Sequence, residues 1–377
     1  MCLYDGDNQL PVDLDNVLSV DTFVQLTHKR PSGVTLEELY PTPDALCVTG
    51  PDGRYQHELV IPFHRREPRA LAARPRTAPA TSVRRTFPPG SEWLYAKLYT
   101  GTATADRLLT LTLAPVLRRL TAAGAISHAF FLRYGDPDWH VRLRLHGTPE
   151  KLHAEALPAL MAACASALDS GEGWKLQLDT YAREVERYGG PAGIELSEQL
   201  FAADSDAVLA LLESYPGDAG ANLRWRLALR GMDTLLDALG LPLPAKLEVA
   251  TRCRHGFGVE FHADTHFEGQ LSHRFRQERR ELEQLLDLTP ADEGPWQVGL
   301  GILAQRGERL RPITEQLQAA EHEGRLTVPL ALLADSFLHM HVNRMLASDQ
   351  RAQEFILYDF LVRLYRSRLA RTRKDGA

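Results

Sequence analysis

The sequence predicts an α+β protein: a ferredoxin-like β-α-β-β-α-β sheet, extended by a helical subdomain and preceded by a small β-rich N-terminal segment. Three observations predict it. Between residues 91 and 183, four short runs alternate apolar and polar residues as strands do, and two amphipathic stretches separate them. From about residue 194 onward the chain carries Leu, Ala and Phe at helical spacing. Residues 64–90, rich in Arg, Ala and Pro and without periodicity, read as a linker. The organisation is therefore 1–63, linker 64–90, and 91–377, with 91–183 the sheet part and 184–377 mostly helical.

Taken in order, residues 1–63 read as β-rich. Leu46 to Phe63 resembles a hairpin turned at Pro51-Asp52-Gly53, because Pro presets φ and Gly accepts positive φ, and LVIPF supplies a short apolar strand. EWLYAKLYTG is the first strand of the central unit. A helix over about 104–123 follows, with Leu108, Leu109, Leu113, Val116, Leu117 and Leu120 on one face. Ser127–Tyr134 is the second strand, GDPD at 135–138 a loop, and Trp139–His146 the third strand. A second helix over about 149–168 has Pro149 in its first turn, where a missing N–H costs nothing. Trp174–Thr180 is the fourth strand. Pro115 and Pro158 fall inside the two helices and are expected to kink them. Further helices are predicted at 194–215, 220–239, 268–287, 298–322, 327–347 and 349–370, with no internal repeat.

Composition narrows the function. The chain has 377 residues, 44% hydrophobic and 24% charged, enough to bury a large core without staples. Its four cysteines, Cys2, Cys47, Cys164 and Cys253, form no C-x-x-C pair, which argues against a disulfide framework or a zinc site. No apolar run approaches the ~20 residues of a membrane helix, and the acidic N-terminus lacks a signal-like apolar region. A cytoplasmic location is expected. The net charge of −6 speaks against general nucleic-acid binding, and the basic C-terminal RSRLARTRKDGA lacks interleaved aromatics.

Three constellations carry chemistry. In HVRLRLH, the pleat places His140, Arg142, Arg144 and His146 on one face and Val141, Leu143 and Leu145 on the other. Two guanidinium groups then lie about 7 Å apart along the strand, a credible clamp for an anion. An exposed polar sheet face is the plain alternative, unless the helical subdomain covers it. The segment TYAREVERYGG brings Arg183, Glu184, Glu186 and Arg187 together at the sheet edge, with Glu184 and Arg187 on one side if helical. A local ion pair would explain it equally. In SFLHMHVNRML and the residue before it, Asp335, His339 and Asn343 share a helical stripe, so Asp335 is placed to orient the imidazole of His339 while His341 points elsewhere.

Other signals are weaker. His262 and His266 in HADTH have a metal-ligand spacing, but the segment reads as strand or loop and no H-E-x-x-H occurs. Gly299-Leu300-Gly301 lacks the third glycine and β-α-β setting of a dinucleotide loop. There is no phosphate-binding P-loop and no G-x-S-x-G.

The blocks WLYAKLYTG, FFLRYGDPDWHVRLRLHG, DTYAREVERYGG and SFLHMHVNR, in this order, resemble the C-terminal glutamate-elimination domain of LanB-type lantibiotic dehydratases, a domain also found in thiopeptide-type biosynthesis proteins. The resemblance covers roughly residues 90–370. DNQLPVDLDN through ELVIPF is similar to the end of the family's upstream glutamylation domain, so a split-enzyme component or part of a longer chain is expected. The resemblance implies β-elimination of glutamate from glutamylated Ser/Thr of a precursor peptide, giving dehydroalanine or dehydrobutyrine. Carried over by motif, the catalytic set is Arg142, Arg144, Glu184, Arg187 and His339. Arg142, Arg144, Glu184 and Arg187, with Asn343, would also bind substrate. It implies no metal or organic cofactor. The implied partners are the glutamylated precursor peptide and a separate or upstream domain that takes glutamate from glutamyl-tRNA, with no direct nucleic-acid contact, no membrane span and a possible homodimer. Two alternatives stay open: a [4+2] cycloaddition pyridine synthase of a thiopeptide pathway, and a non-catalytic peptide-binding subunit.

Overall fold

The computed structural model describes residues 1–5, 8–28, 34–37, 45–55, 61 and 83–375, and resolves two units, Met1–Thr77 and Ala78–Ala377. In the first unit, β1 (Cys2–Asp5) pairs antiparallel with β2 (Asn8–Pro11) and, on its other side, with β3 (Thr35–Glu37). Between β2 and β3 runs a helix, α1 (Val17–Thr27), begun by Asn16, whose side chain accepts from the backbone N–H of Leu18 and Ser19. Within the segment expected to be β-rich this helix is unanticipated: the cap and the stretch VLSVDTFVQLT favour it. The hairpin is present as β4 (Val48–Gly50) and β5 (Gly53–Tyr55), with Gly53 at φ 130 after Pro51-Asp52. The strand expected at LVIPF and most of the expected linker lie outside the described residues.

The second unit opens with β6 (Thr86–Phe87) and β7 (Trp93–Tyr99). Helix α2 (Thr102–Arg107) passes through a π-helical stretch, Leu108–Leu113, into α3 (Ala114–Ala122). β8 (His128–Tyr134) and β9 (His140–His146) form the central hairpin. α4 (Pro149–Lys151) likewise passes through a π-helical stretch, Leu152–Ala156, into α5 (Leu157–Asp169). The expected kinks are thus resolved as local widening. Pro115 and Pro158 offer no N–H to the carbonyl four residues back, and the helix opens to i→i+5 bonds just ahead of each, as in Ala114 N–H to the Leu109 carbonyl. β10 (Lys175–Asp179) and β11 (Tyr181–Ala182) follow.

β7, β8, β9 and β10 make one antiparallel sheet in the order β10-β7-β9-β8. Val141, Leu143 and Leu145 are buried on one face with Leu108, Leu109, Leu120, Leu152 and Leu160 of the two crossover helices. Among the described residues seven further helices follow: α6 (Pro191–Ser214), α7 (Gly217–Ala238), α8 (Leu243–Glu260), α9 (Thr265–Asp287), α10 (Gln297–His322), α11 (Leu330–Met345) and α12 (Gln350–Asp375). α8 has no counterpart among the sequence expectations. Its apolar positions are sparse, and only Lys246, Val249, Ala250 and Phe257 are buried. HADTH is corrected too: His262 sits in the α8–α9 turn at φ 48, whereas His266 is in the first turn of α9.

The helical part docks on the sheet through the edge strand β8. A bare edge exposes backbone groups that seek partners, and here four are taken by side chains. Ser205 Oγ accepts from Phe131 N–H at 3.2 Å, and Arg344 Nε donates to the Phe131 carbonyl at 2.9 Å. Asn343 accepts from Arg133 N–H and donates to the Arg133 carbonyl, both at 2.9 Å. This seam fixes α6 and α11 against β8 and carries His339 to the polar side of the sheet.

Candidate functional site

The open face of the sheet is aromatic and cationic. The register sets Arg142 between Lys97 and Leu132, and Arg144 between Tyr95 and Phe130. Arg144 lies over the Tyr181 ring at 4.4 Å, the Tyr95 ring at 4.8 Å and the Phe130 ring at 5.3 Å. Its Nε is buried with no hydrogen-bond partner among the described residues. Arg142 lies 3.4 Å above the Tyr134 ring and donates from Nε to His140 Nε2 at 3.1 Å. His140 in turn donates from Nδ1 to the Asp138 carbonyl at 2.7 Å and stacks on Tyr99. Burial holds the His140 pKa below its ordinary value, in keeping with a neutral ring that accepts from an arginine. Two guanidinium groups are thereby oriented by rings and a neutral imidazole, and neither forms an ion pair with a carboxylate among the described residues.

Above them lies a cavity of about 560 Å³, lined by Arg142 and Arg144 from the sheet, Glu184 and Arg187 after β11, and His339 and Asn343 from α11. Tyr134, Trp139, Tyr181, Tyr188, Phe201 and Phe261 contribute to its apolar wall, and Asp349, Gln350 and Arg351 line it from the start of α12. All five residues expected to be catalytic therefore share one concave site. Glu184 and Arg187 are placed by a turn rather than a helix. Arg187 Nη1 bonds Glu184 at 2.9 Å and its Nε donates to Ser336 Oγ at 3.3 Å. The turn closes on Gly189 and Gly190, at φ 84 and 77, and a Cβ at Gly190 would meet Thr327 at 2.6 Å.

Two sequence expectations change. Asp335 does not orient His339: its carboxylate is held by Arg252, at 2.8 and 2.6 Å. The residue facing His339 Nδ1 is Glu354 of α12, at 2.8 Å, buried to 1% exposure and bonded on its other oxygen by Tyr358 OH at 3.1 Å. No spacing rule finds such a partner, because it lies on another helix. Asn343 lines the cavity, but its amide is engaged by the Arg133 backbone and by Gln350, so it acts on the site through the seam rather than by free polar atoms. His341, expected to point elsewhere, is fully buried and bonds Asp204 at 2.8 Å, inside a cluster with Arg306 and Arg344.

A fixed row of cations facing a partly exposed imidazole suits binding of an acidic group next to a proton transfer. The family described as lantibiotic biosynthesis dehydratase C-term matches residues 93–365. Over 219 residues the chain is 29% identical to the subtilin biosynthesis protein SpaB of Bacillus subtilis and 31% to the nisin biosynthesis protein NisB of Lactococcus lactis subsp. lactis. Each match takes in 56% of this chain and 21% of the relative, so the chain spans about a fifth of the length of those relatives. The tRNA-dependent lantibiotic dehydratase MibB from Microbispora sp. 107891 superposes with a TM-score of 0.59 at 24% identity, over 99% of this chain and 36% of that one. The pyridine synthase TbtD from thiomuracin biosynthesis superposes with a TM-score of 0.55 at 16% identity, over 73% of this chain and 98% of that one.

Proposed function

The chain belongs to the lantibiotic biosynthesis dehydratase C-terminal family, and we propose that it eliminates glutamate from glutamylated Ser or Thr side chains of a precursor peptide. On this reading the β10-β7-β9-β8 sheet and its two crossover helices are a ferredoxin-like platform. The observation that carries the proposal is the convergence of Arg142, Arg144, Arg187, Glu184 and His339 on one cavity, with the two sheet arginines in no ion pair among the described residues.

The substrate is an ester of the glutamate α-carboxyl, with a free γ-carboxylate and an α-ammonium. Arg142 and Arg144 bind the acidic end and steady the departing α-carboxylate, and Arg187 closes from the mouth. Glu184 holds Arg187 at 2.9 Å. His339 Nε2 takes the Cα proton of the Ser or Thr residue. That electron pair forms the Cα=Cβ bond, the Cβ–O bond breaks, and glutamate leaves as a carboxylate. Positive charge beside the developing enolate lowers the barrier. The proton, the double bond and the leaving group balance without a redox partner. The glutamylated peptide is supplied by a tRNA-dependent glutamylation step, and residues 91–377 carry out the elimination.

Incubating the chain with a glutamyl-Ser peptide and following mass tests this directly. Loss of glutamate with formation of dehydroalanine is expected, and His339→Ala should slow it by ~10²–10⁴, the usual worth of a general base. Full activity in that variant removes His339 from the mechanism. Ring formation from a peptide bearing two dehydroalanines, without glutamate release, would replace the proposal with cycloaddition.

A further inference from the structure

We propose that Glu354 is a positioning residue that fixes the tautomer and aim of His339, with Tyr358 fixing Glu354. This deepens the elimination reading and rests on it for its kinetic consequence, though not for its geometry. Three observations carry it. Glu354 Oε2 lies 2.8 Å from His339 Nδ1. A carboxylate only accepts, so Nδ1 carries a proton, and in the neutral ring the lone pair then sits on Nε2, which has no hydrogen-bond partner among the described residues. Glu354 is 1% exposed, whereas the His339 side chain is 26% exposed and lines the cavity, so the carboxylate is shut away from substrate and reaches it only through the imidazole. Tyr358, itself buried, donates its OH to Glu354 Oε1 at 3.1 Å, and burial beside that carboxylate holds the phenol well above its ordinary pKa, so it stays a donor.

The arrangement links two helices with separate roles. α11 brings His339 to the cavity through the β8 seam, and α12, which begins at Gln350, brings the acceptor about one turn of helix in. A base that must collect a weakly acidic Cα proton gains from a ring that is already in the right tautomer. With the carboxylate gone, the ring is free to place its proton on Nε2, where it cannot act as base. In a Ser-His-Asp triad, replacing the buried carboxylate by its amide leaves geometry intact yet lowers kcat by about 10⁴ for this reason.

The test uses the full chain with glutamyl-Ser peptide and, separately, ¹⁵N-histidine NMR, with His339 assigned by comparison with His339→Gln. The parent is expected to carry the His339 proton on Nδ1. Glu354→Gln should lose at least about 10²-fold in kcat with KM little changed, and its NMR signal should move toward the Nε2–H form. Glu354→Asp, which keeps a carboxylate, should recover part of the rate, and Tyr358→Phe should lose less than Glu354→Gln. An Nε2–H signal in the parent, or unchanged kcat and tautomer in Glu354→Gln, overturns the proposal. If the parent releases no glutamate, the elimination reading fails while the NMR arm still decides the role of Glu354. A Glu354→Gln protein that melts early is judged from Glu354→Asp and Tyr358→Phe by the same two readouts.

Discussion

At the scale of single residues, the candidate site is a problem of keeping arginine charge available. Most buried arginines in this chain are neutralised by carboxylates: Arg306 and Arg344 by Asp204, Arg183 by Glu198, Arg226 by Glu278. Arg144 is handled differently, with rings on its faces in place of an acid beside it. Cation–π contact stabilises the charge without consuming its hydrogen-bond donors, so the guanidinium remains open to a ligand carboxylate. This makes a specific claim about chemistry rather than charge. Arg144→Ala should lower kcat/KM for glutamate release by about 10²-fold, the scale of one or two charge-assisted hydrogen bonds. Arg144→Lys should rescue little of it, because an ammonium neither stacks flat on Tyr181 nor offers a planar fork. Parent-like kcat/KM in the lysine variant would show that only net positive charge matters at that position.

At the scale of elements, the seam along β8 explains how a helical subdomain can carry a catalytic group onto a sheet. Asn343 answers both backbone groups of Arg133, and Arg344 and Ser205 answer those of Phe131. Asn343→Ala leaves a donor and an acceptor without partners, at about 1–3 kcal/mol for each group that stays dry. The melting temperature should fall, and hydrogen exchange at the Arg133 amide should rise ahead of that of the β9 amides. Unchanged protection at Arg133 would mean the seam is held by the other contacts alone. The same seam marks what was legible in the sequence. Alternation in HVRLRLH correctly divided β9 into a buried apolar face and a polar one, because a pleat admits no other assignment. Helical spacing found α6, α7 and α9 to α12. It missed α8, whose buried positions are few, and α1, where a capping Asn was the stronger signal. It named Asp335 as partner of His339 because, on a helix, a sequence reveals only neighbours three or four residues apart on that same helix. Glu354 and Arg252 come from other helices, so the true pairings were decided by tertiary packing.

At the scale of the whole molecule, buried histidines set the response to acid. Burial lowers the pKa of His128, His140, His146 and His341, most clearly for His128, which falls from 6.5 to about 4 beside His146 and with the more distant charge of Arg183. The sign follows from which state takes the proton first. An unfolded chain protonates these rings near 6.5, whereas the folded one resists until lower pH. Stability is therefore fully present above 6.5 and is lost as pH falls through the interval toward each folded value. For His128 the loss approaches about 3 kcal/mol by pH 4. Glu198 acts oppositely, since burial raises its pKa and acid favours its folded form, while Asp204, held far below 3.8 by His341 and its two arginines, begins to matter only in stronger acid. His128 stacks on His146 at 4.8 Å and meets the edge of Trp93, while its Nε2 is buried with no hydrogen-bond partner among the described residues. His128→Phe keeps a ring in that place and removes the titration. Melting curves between pH 7 and pH 4 should therefore flatten in the variant, with most of the difference appearing below pH 6. Parallel curves for variant and parent would assign acid loss to the other histidines or to surface charge, and would mean that the His128 site gains water or a counter-charge on protonation.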